Sequence, residues 1–415
     1  VQRRLYTGRQ LHRAHSIEDL RAMAARRVPN FCFEYIEGGA EEEATLRRNR
    51  AAFQDIAFRP RALVDVSRRD IGIHLFGRRS AAPFMIGPTG FSGLLAHEGD
   101  LALARAAARA DIPFILSNAS TVPLERVVET AGARVWMQVY MYRTRAFVAR
   151  LAERAEHAGV EALVVTVDSA IYGKREWDLR NYARPLQLDW RNTLDVLAHP
   201  RWMMDVLWPH GMPRFANLGD LLPPGKDSVS GAASALAKEL DPSLSWEDLR
   251  WLRDRWPGRL IIKGLLHPED ALQAVAMGAD GVVLSNHGGR QLDGAVSAMN
   301  VLPEVVQVVN GRLAILLDGG FRRGSDIVKA LALGADAVLV GRATTWGLAA
   351  GGGPGVDRAI DILINEVDRV VGLLGCDSLA ALGPQHVQRA PHALGHPREA
   401  AAAITPATLH KEAPQ

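Results

Sequence analysis

Eight short apolar runs, most of them followed by an amphipathic helical stretch, predict an α/β chain folded as a (β/α)8 TIM barrel. The runs are Pro83–Pro88, Pro113–Ser117, Arg134–Tyr140, Ala162–Asp168, Leu260–Lys263, Gly281–Ser285, Leu313–Asp318 and Ala337–Gly341. They are short, rich in β-branched residues and bounded by turn formers, as strands buried on both faces are. A recurring phrase supports the same fold. Met277-Gly278-Ala279-Asp280-Gly281-Val282-Val283-Leu284 is echoed by Leu333-Gly334-Ala335-Asp336-Ala337-Val338-Leu339-Val340, and more weakly by Ala158-Gly159-Val160-Glu161-Ala162-Leu163-Val164-Val165. In each, a helix of small residues ends at glycine and a buried strand begins at once, the αβ join of a parallel sheet. A doubly wound sheet would prefer a glycine-rich fingerprint after its first strand, and Pro88-Thr89-Gly90 is not one.

In chain order, residues 1–80 read as a helical N-terminal cap and 81–380 as the barrel, with helices expected at Gly99–Ala110 and Pro123–Ala131. A long insertion, about 181–243, separates strands four and five. It is rich in turns (Pro209, Pro213, Pro223-Pro224-Gly225) but carries an apolar cluster, His199-Pro200-Arg201-Trp202-Met203-Met204-Asp205-Val206-Leu207-Trp208. Gly351-Gly352-Gly353-Pro354-Gly355 follows a helix, not a strand, and reads as a connector, not a nucleotide loop. Residues 381–415 form a tail, Ala/Pro/His-rich beyond Leu394 and expected to be poorly ordered.

Composition narrows the function. Hydrophobic residues at 48% and charged residues at 23% are ordinary for a soluble enzyme. A net charge of +3, with no basic stripe interleaved with aromatics, argues against nucleic acid. Cys32 and Cys376 offer neither a disulfide framework nor metal-ligand spacing, so no metal is expected and a reducing cytoplasmic setting is the simplest reading. Arg3-Arg4 has no apolar stretch behind it, and no run is long enough to span a bilayer.

Active sites of such barrels lie at the C-terminal strand ends. Here each strand end carries a polar or ligand-binding group: Thr89-Gly90, Ser117, Gln138 with Tyr140, Thr166 with Asp168, Lys263, Ser285 with His287, Asp318-Gly319-Gly320, and Gly341-Arg342. Any one could merely satisfy a loop backbone; the full set points to a site. After strand six comes Ser285-Asn286-His287-Gly288-Gly289-Arg290, a base and a guanidinium on a glycine turn, suited to a substrate that has a carboxylate and must lose a proton. The glycines and arginines of Asp318-Gly319-Gly320-Phe321-Arg322-Arg323-Gly324 and Gly341-Arg342 suit a phosphate. Lys263, at the end of a buried strand, needs an anionic partner; it could form a Schiff base or sit beside a cofactor that becomes negative on reduction. Asp168 could orient His287 or cap a helix.

With these residues in place, the chain resembles the FMN-dependent α-hydroxy acid dehydrogenases and oxidases, from Pro29 to about Cys376. The specific motif is Ser285-Asn286-His287-Gly288-Gly289-Arg290-Gln291-Leu292-Asp293, supported by Tyr35-x-x-Gly38-Gly39-Ala40, Gln138-x-Tyr140, Thr166-Val167-Asp168 and Lys263-Gly264. The resemblance implies FMN held by Pro88, Thr89, Gly90, Ser117, Gln138, Thr166, Lys263 and Ser285, with its phosphate near Asp318, Gly319, Gly320, Arg322, Gly341 and Arg342. It implies Arg175 and Arg290 as a carboxylate clamp with Tyr35 donating to it, Tyr140 at the substrate hydroxyl, and His287 as base paired with Asp168. Lys263 would favour the reduced cofactor.

Finer expectations follow from the resemblance. Gly90 stands where oxidases of the family tend to carry alanine, which favours a dehydrogenase passing electrons to a quinone-type acceptor. Ala119 stands where glycolate oxidase carries tryptophan, which leaves room for an aryl group. The expected reaction is (S)-mandelate to benzoylformate, as in the mandelate-oxidising branch; an L-lactate dehydrogenase and an oxygen-using 2-hydroxy acid oxidase of the same family are the alternatives. The cluster Trp202, Met203, Met204, Val206, Leu207 and Trp208 is expected to contact a membrane surface peripherally on its cytoplasmic side; a lid or an oligomer contact is the alternative. A homotetramer is expected.

Overall fold

The computed structural model describes residues 4–184, 187–208, 210–221, 236 and 238–390. Eight parallel strands close into a barrel in sequence order, as predicted: β1 (Phe84–Ile86), β2 (Phe114–Ser117), β3 (Val135–Tyr140), β4 (Ala162–Thr166), β5 (Arg259–Leu265), β6 (Gly281–Leu284), β7 (Ala314–Leu317) and β8 (Ala337–Val340). The strands are shorter than several apolar runs because the polar end residues leave the ladder. Asp168, Ser285, Asp318 and Gly341 all lie just past their strands, at the rim. Strand β5 instead runs past Lys263 to Leu265, with a register shift at Gly264.

Alternate residues of the strands point inward and fill the barrel: Met85, Ile115, Trp136, Val164, Ile261, Val283, Leu316 and Leu339 form one buried cluster. Its N-terminal end is plugged by a hairpin, Ile73–Leu75 with Arg78–Ser80, which inserts Leu75 and sets Phe76 against Trp136 at 5.7 Å between ring centroids. The other residues of each strand face the surrounding helices in a larger core. This two-layer packing leaves only the C-terminal end open for chemistry.

The expected helical cap does contain three helices, α1 (Ile17–Arg27), α2 (Asn30–Glu37) and α3 (Ala44–Ala51), but it is not purely helical. It also holds the plugging hairpin and a strand, Ile56–Phe58, that pairs antiparallel with Val387–Arg389. The first residues of the expected tail are therefore part of the fold, and 391–415 lie outside the described residues. Helix α1 starts at a capping box, Ser16 with Asp19, and packs on the long C-terminal helical run Arg342–Leu373. Gly351 and Gly352 break that run into two helices, so the glycine-rich segment is a join between helices, in keeping with a connector.

The insertion folds in part onto the cap. Its helix Trp190–Leu197 is capped by Asp189, and Arg27 pairs with Asp205 at 2.8 Å. Trp202 and Val206 are corrections to the expected membrane patch: both are 1% exposed. Trp202 packs edge-on against Phe31 and its indole N–H donates to Leu94 O at 2.8 Å. The exposed large apolar side chains among its described residues are Trp190, Leu194, Leu197, Met204, Trp208 and Met212. Helical spacing explains the division, because one face of each short turn meets the cap and the other meets solvent. Pro209 and Pro223-Pro224-Gly225 lie outside the described residues.

Candidate active site

Strand register sets the rim. Ser117 is paired with Gln138, Tyr140 with Thr166, and Thr166 with Lys263 across neighbouring strands. Their side chains continue the linkage: Ser117 Oγ donates to Gln138 Oε1 at 3.2 Å, and Gln138 Nε2 donates to Thr166 Oγ1 at 3.0 Å. Lys263 Nζ reaches Ser285 Oγ at 2.9 Å and Asp318 Oδ2 at 2.8 Å. Burial works against the Lys263 charge, but Asp318 and Asp168 outweigh it and hold its pKa above the ordinary lysine value.

The loop after β6 has an unusual backbone. His287, Gly288 and Gly289 have φ values of 57°, 63° and 78°, three successive left-handed residues. A histidine at positive φ is uncommon and is held here by hydrogen bonds: its N–H donates to Ser285 Oγ at 2.9 Å, and Gly289 N donates to Asn286 O at 3.0 Å. The turn brings His287 Nδ1 to 2.9 Å from Asp168 Oδ1. Gly264, at φ 112°, makes room for that aspartate, since a Cβ there would lie 2.7 Å from Asp168 Cβ. The predicted pairing is therefore observed, and it uses Nδ1, leaving Nε2 for a ligand. Burial lowers the His287 pKa below the ordinary value despite the aspartate. Burial opposes ionisation of Asp168 too, but the His287 charge and hydrogen bond hold its pKa low.

All these groups surround one cavity of about 900 Å³ at the C-terminal end of the barrel. Every predicted site residue lines it except Asp168 and Ser285, which stand behind His287 and Lys263. Tyr35, on α2, donates to Gly90 O at 3.1 Å. Arg290 donates to Gly38 O at 2.9 Å, and Arg175 makes two contacts of 3.4 Å, to Arg290 O and Gln291 Oε1. Burial, together with the charges of Arg175 and Arg342, pushes the Arg290 pKa well down. Tyr140 is also raised by burial, which keeps its phenol protonated.

Two arginines expected at a phosphate have protein partners. Arg342 donates to the carbonyls of Ile36, Gly288 and Gly38 at 2.8–3.0 Å, tying the cap and the His287 loop together. Arg322 bonds Glu18 at 2.9 Å and stacks over Trp346. Both arginines still line the cavity, together with the backbone of Gly319-Gly320 and the helix N-terminus at Arg342. Sequence reasoning missed Asp178, Tyr172, Phe91, Phe215, Met212 and Leu236, which also line the cavity. Tyr172 and Asp178 flank Arg175 in the chain and were findable from it; the insertion residues carried no local signal. Among the described residues no group of three or more His, Cys, Asp or Glu could hold a metal ion.

The wall fits a flavin mononucleotide. Its volume lies in the range of cofactor sites, a glycine turn and a helix start face one end, and Asp318 Oδ1 is a buried acceptor with no protein partner. Such an arrangement on a barrel is that of a flavin-dependent (β/α)8 oxidoreductase. The chain belongs to the FMN-dependent dehydrogenase family, whose model matches residues 24–389. It is 46% identical to (S)-mandelate dehydrogenase of Pseudomonas putida over 90% of this chain and 93% of that protein. It is 42% identical to an L-lactate dehydrogenase of Xanthomonas campestris over 89% of this chain and 96% of that one. Among solved structures it superposes on (S)-mandelate dehydrogenase, described as a monotopic membrane protein, with a TM-score of 0.87 and 44% identity over 91% of this chain and 100% of that chain. A mandelate oxidase with (S)-4-hydroxymandelic acid gives 0.78 and 37% identity over 90% and 98%.

Proposed function

We propose that the protein oxidises an (S)-2-hydroxy acid with an aryl side chain, (S)-mandelate being the preferred substrate and benzoylformate the product, and passes the electrons to a quinone-type acceptor. The observation that carries the reading is the His287–Asp168 pair at 2.9 Å, opening on a cavity that also holds Arg175, Arg290 and Lys263. Arg175 and Arg290, with Tyr35 as a further donor, bind the substrate carboxylate, and Tyr140 positions its hydroxyl end. His287 Nε2 takes a proton, and Asp168 stabilises the imidazolium that results. FMN, when bound, accepts the two electrons, and Lys263 keeps a positive charge beside it. The Gly319-Gly320 backbone, Arg322 and the helix start at Arg342 would hold its phosphate; Thr89, Gln138 and Thr166 would fix the ring system, with Ser285 acting through Lys263.

An aryl substrate is supported by the wall around Ala119. Phe91 and Phe215 meet there at a tilt with 4.9 Å between centroids, Tyr35 meets Phe91 edge-on, and Phe91 N donates to Ala119 O at 2.8 Å. Burying a phenyl-sized group contributes about 1.5–3 kcal/mol, roughly 10–150-fold in kcat/KM. Ala119→Trp fills that space, so mandelate turnover is expected to fall by about that factor while L-lactate turnover changes little. Equal loss of both substrates, or a wild-type preference for lactate, rejects the aryl reading. Gly90 supports a dehydrogenase: a Cβ there would press on Ala119 Cβ at 3.1 Å, so the glycine shapes the space beside the cofactor.

Peripheral membrane association is part of the same proposal. No helix among the described residues is long and apolar enough to cross a membrane. Trp190, Leu194 and Leu197 share one helix face, with exposed Met204 and Trp208 nearby in sequence and Arg191 and Arg201 also exposed. Replacing Trp190, Leu194, Leu197 and Trp208 together with serine is expected to lower co-sedimentation with phosphatidylglycerol vesicles by at least about tenfold, without loss of flavin. Unchanged co-sedimentation rejects the membrane reading, and a changed oligomeric mass assigns the face to subunit contact instead. Deleting Trp202–Trp208 is not a suitable test, because Trp202 and Val206 belong to the core.

A further inference from the structure

The cavity wall carries two carboxylates, Asp178 and Asp318. Asp318 is paired with Lys263 at 2.8 Å. Asp178 differs: its Oδ1 is buried and has no hydrogen-bond partner. It lies on the short turn Glu176–Leu179, three residues after Arg175, so the chain itself keeps the two side chains close. Burial raises the Asp178 pKa above the ordinary carboxylate value, and the charges of Arg290 and Arg175 oppose that rise and favour its ionised form. Asp178 in turn is among the charges that oppose loss of a proton from Arg290. Neither guanidinium satisfies the aspartate by contact, and both face the same open space. Arg290 has one side-chain hydrogen bond, to Gly38 O, and Arg175 has two at the 3.4 Å limit. Two cations and one resident anion thus face a gap that an entering carboxylate would occupy.

From this arrangement we infer that Asp178 is the site's own counter-ion to Arg175 and Arg290, which moderates their hold on a ligand carboxylate and so lets an acid product leave. The inference rests on the reading of those arginines as the carboxylate clamp. An entering carboxylate gains from two guanidiniums and meets one like charge; removing that charge strengthens binding of anions and leaves uncharged analogues unaffected. Asp178 is a positioning and specificity residue in this account, because it acts through the arginines.

The test uses the FMN-loaded enzyme and two probes of matching shape, one charged and one neutral, benzoylformate and its primary amide, with dissociation constants read from perturbation of the flavin spectrum. Asp178→Asn is expected to tighten benzoylformate by roughly 5–30-fold, the size of a like-charge interaction across a few ångströms of partly screened space. The amide should bind as it does to wild type, and Asp178→Glu, which keeps the charge, should restore the wild-type ratio of the two affinities. If Asp178→Asn loses its flavin, Asp178→Ser carries the same comparison. Benzoylformate bound no more tightly, or both probes tightened alike, overturns the inference. The underlying clamp fails in a different way: Arg290→Lys in the wild-type background would then leave benzoylformate affinity unchanged.

Discussion

Replacing His287 with asparagine is expected to lower kcat by about 10²–10⁴-fold, the usual cost of losing a general base, while the protein still binds FMN. The geometry supports so large an effect. His287 Nδ1 is committed to Asp168 at 2.9 Å, which turns the opposite nitrogen towards the cavity, and asparagine offers no basic atom there. Asp168 cannot substitute, because it stands behind the ring with Oδ2 buried and unpartnered. The remaining titratable groups on the wall are arginines, tyrosines raised by burial, a lysine paired with Asp318, and Asp178, which stands three residues from Arg175 on the turn Glu176–Leu179 and among the charges of Arg175 and Arg290. The pH profile carries a second signature. Burial lowers the His287 pKa, so the ring is neutral and competent at neutral pH, and wild-type kcat/KM should fall as pH drops through that lowered value. In the variant this acid limb should be absent. Near-wild-type turnover, or an unaltered acid limb, removes His287 from the mechanism.

Replacing Lys263 with methionine is expected to destabilise the protein by about 3–5 kcal/mol, the usual cost of leaving one partner of a buried ion pair uncompensated. The Lys263 side chain is 5% exposed and holds both Asp318 and Ser285, so the substitution strands a carboxylate and a hydroxyl at the rim of the barrel. The lysine pKa is raised by Asp318 and Asp168 in spite of burial. Its contribution is therefore fully present at neutral pH and is lost only as pH rises through that raised value. Urea unfolding followed by tryptophan fluorescence measures the loss. The double variant Lys263→Met, Asp318→Asn should recover most of it, because the stranded charge is gone. A single variant as stable as wild type would mean that solvent reaches Asp318 freely. The same substitution removes the positive charge beside the electron acceptor, so flavin in the variant should be harder to reduce.

Much of this protein was readable along the chain. Each barrel strand is a local apolar run, and each αβ join is a local glycine signal, so the number and order of the strands follow from contiguous residues. The pairing of His287 with Asp168 was also legible, because strand ends converge at one rim whenever the barrel closes, whatever the loops do. The partners of side chains that cross between separate segments were not legible. Arg342 donates to carbonyls more than 300 residues earlier and to Gly288, while Arg322 bonds Glu18, and no local pattern announces these contacts. In the insertion, the six-residue apolar cluster looks uniform as text, yet Trp202 and Val206 enter the core while Met204 and Trp208 face solvent. Sequence by itself thus determined the barrel, its rim and the residue types of a flavin-dependent hydroxy-acid site. Tertiary structure alone decided which protein groups each arginine meets, that Asp178 shares their cavity, and which side of the insertion is exposed. The reason is physical: strand and turn signals act over a few residues, whereas charge partners and burial are chosen by whatever the closed barrel brings within a few ångströms.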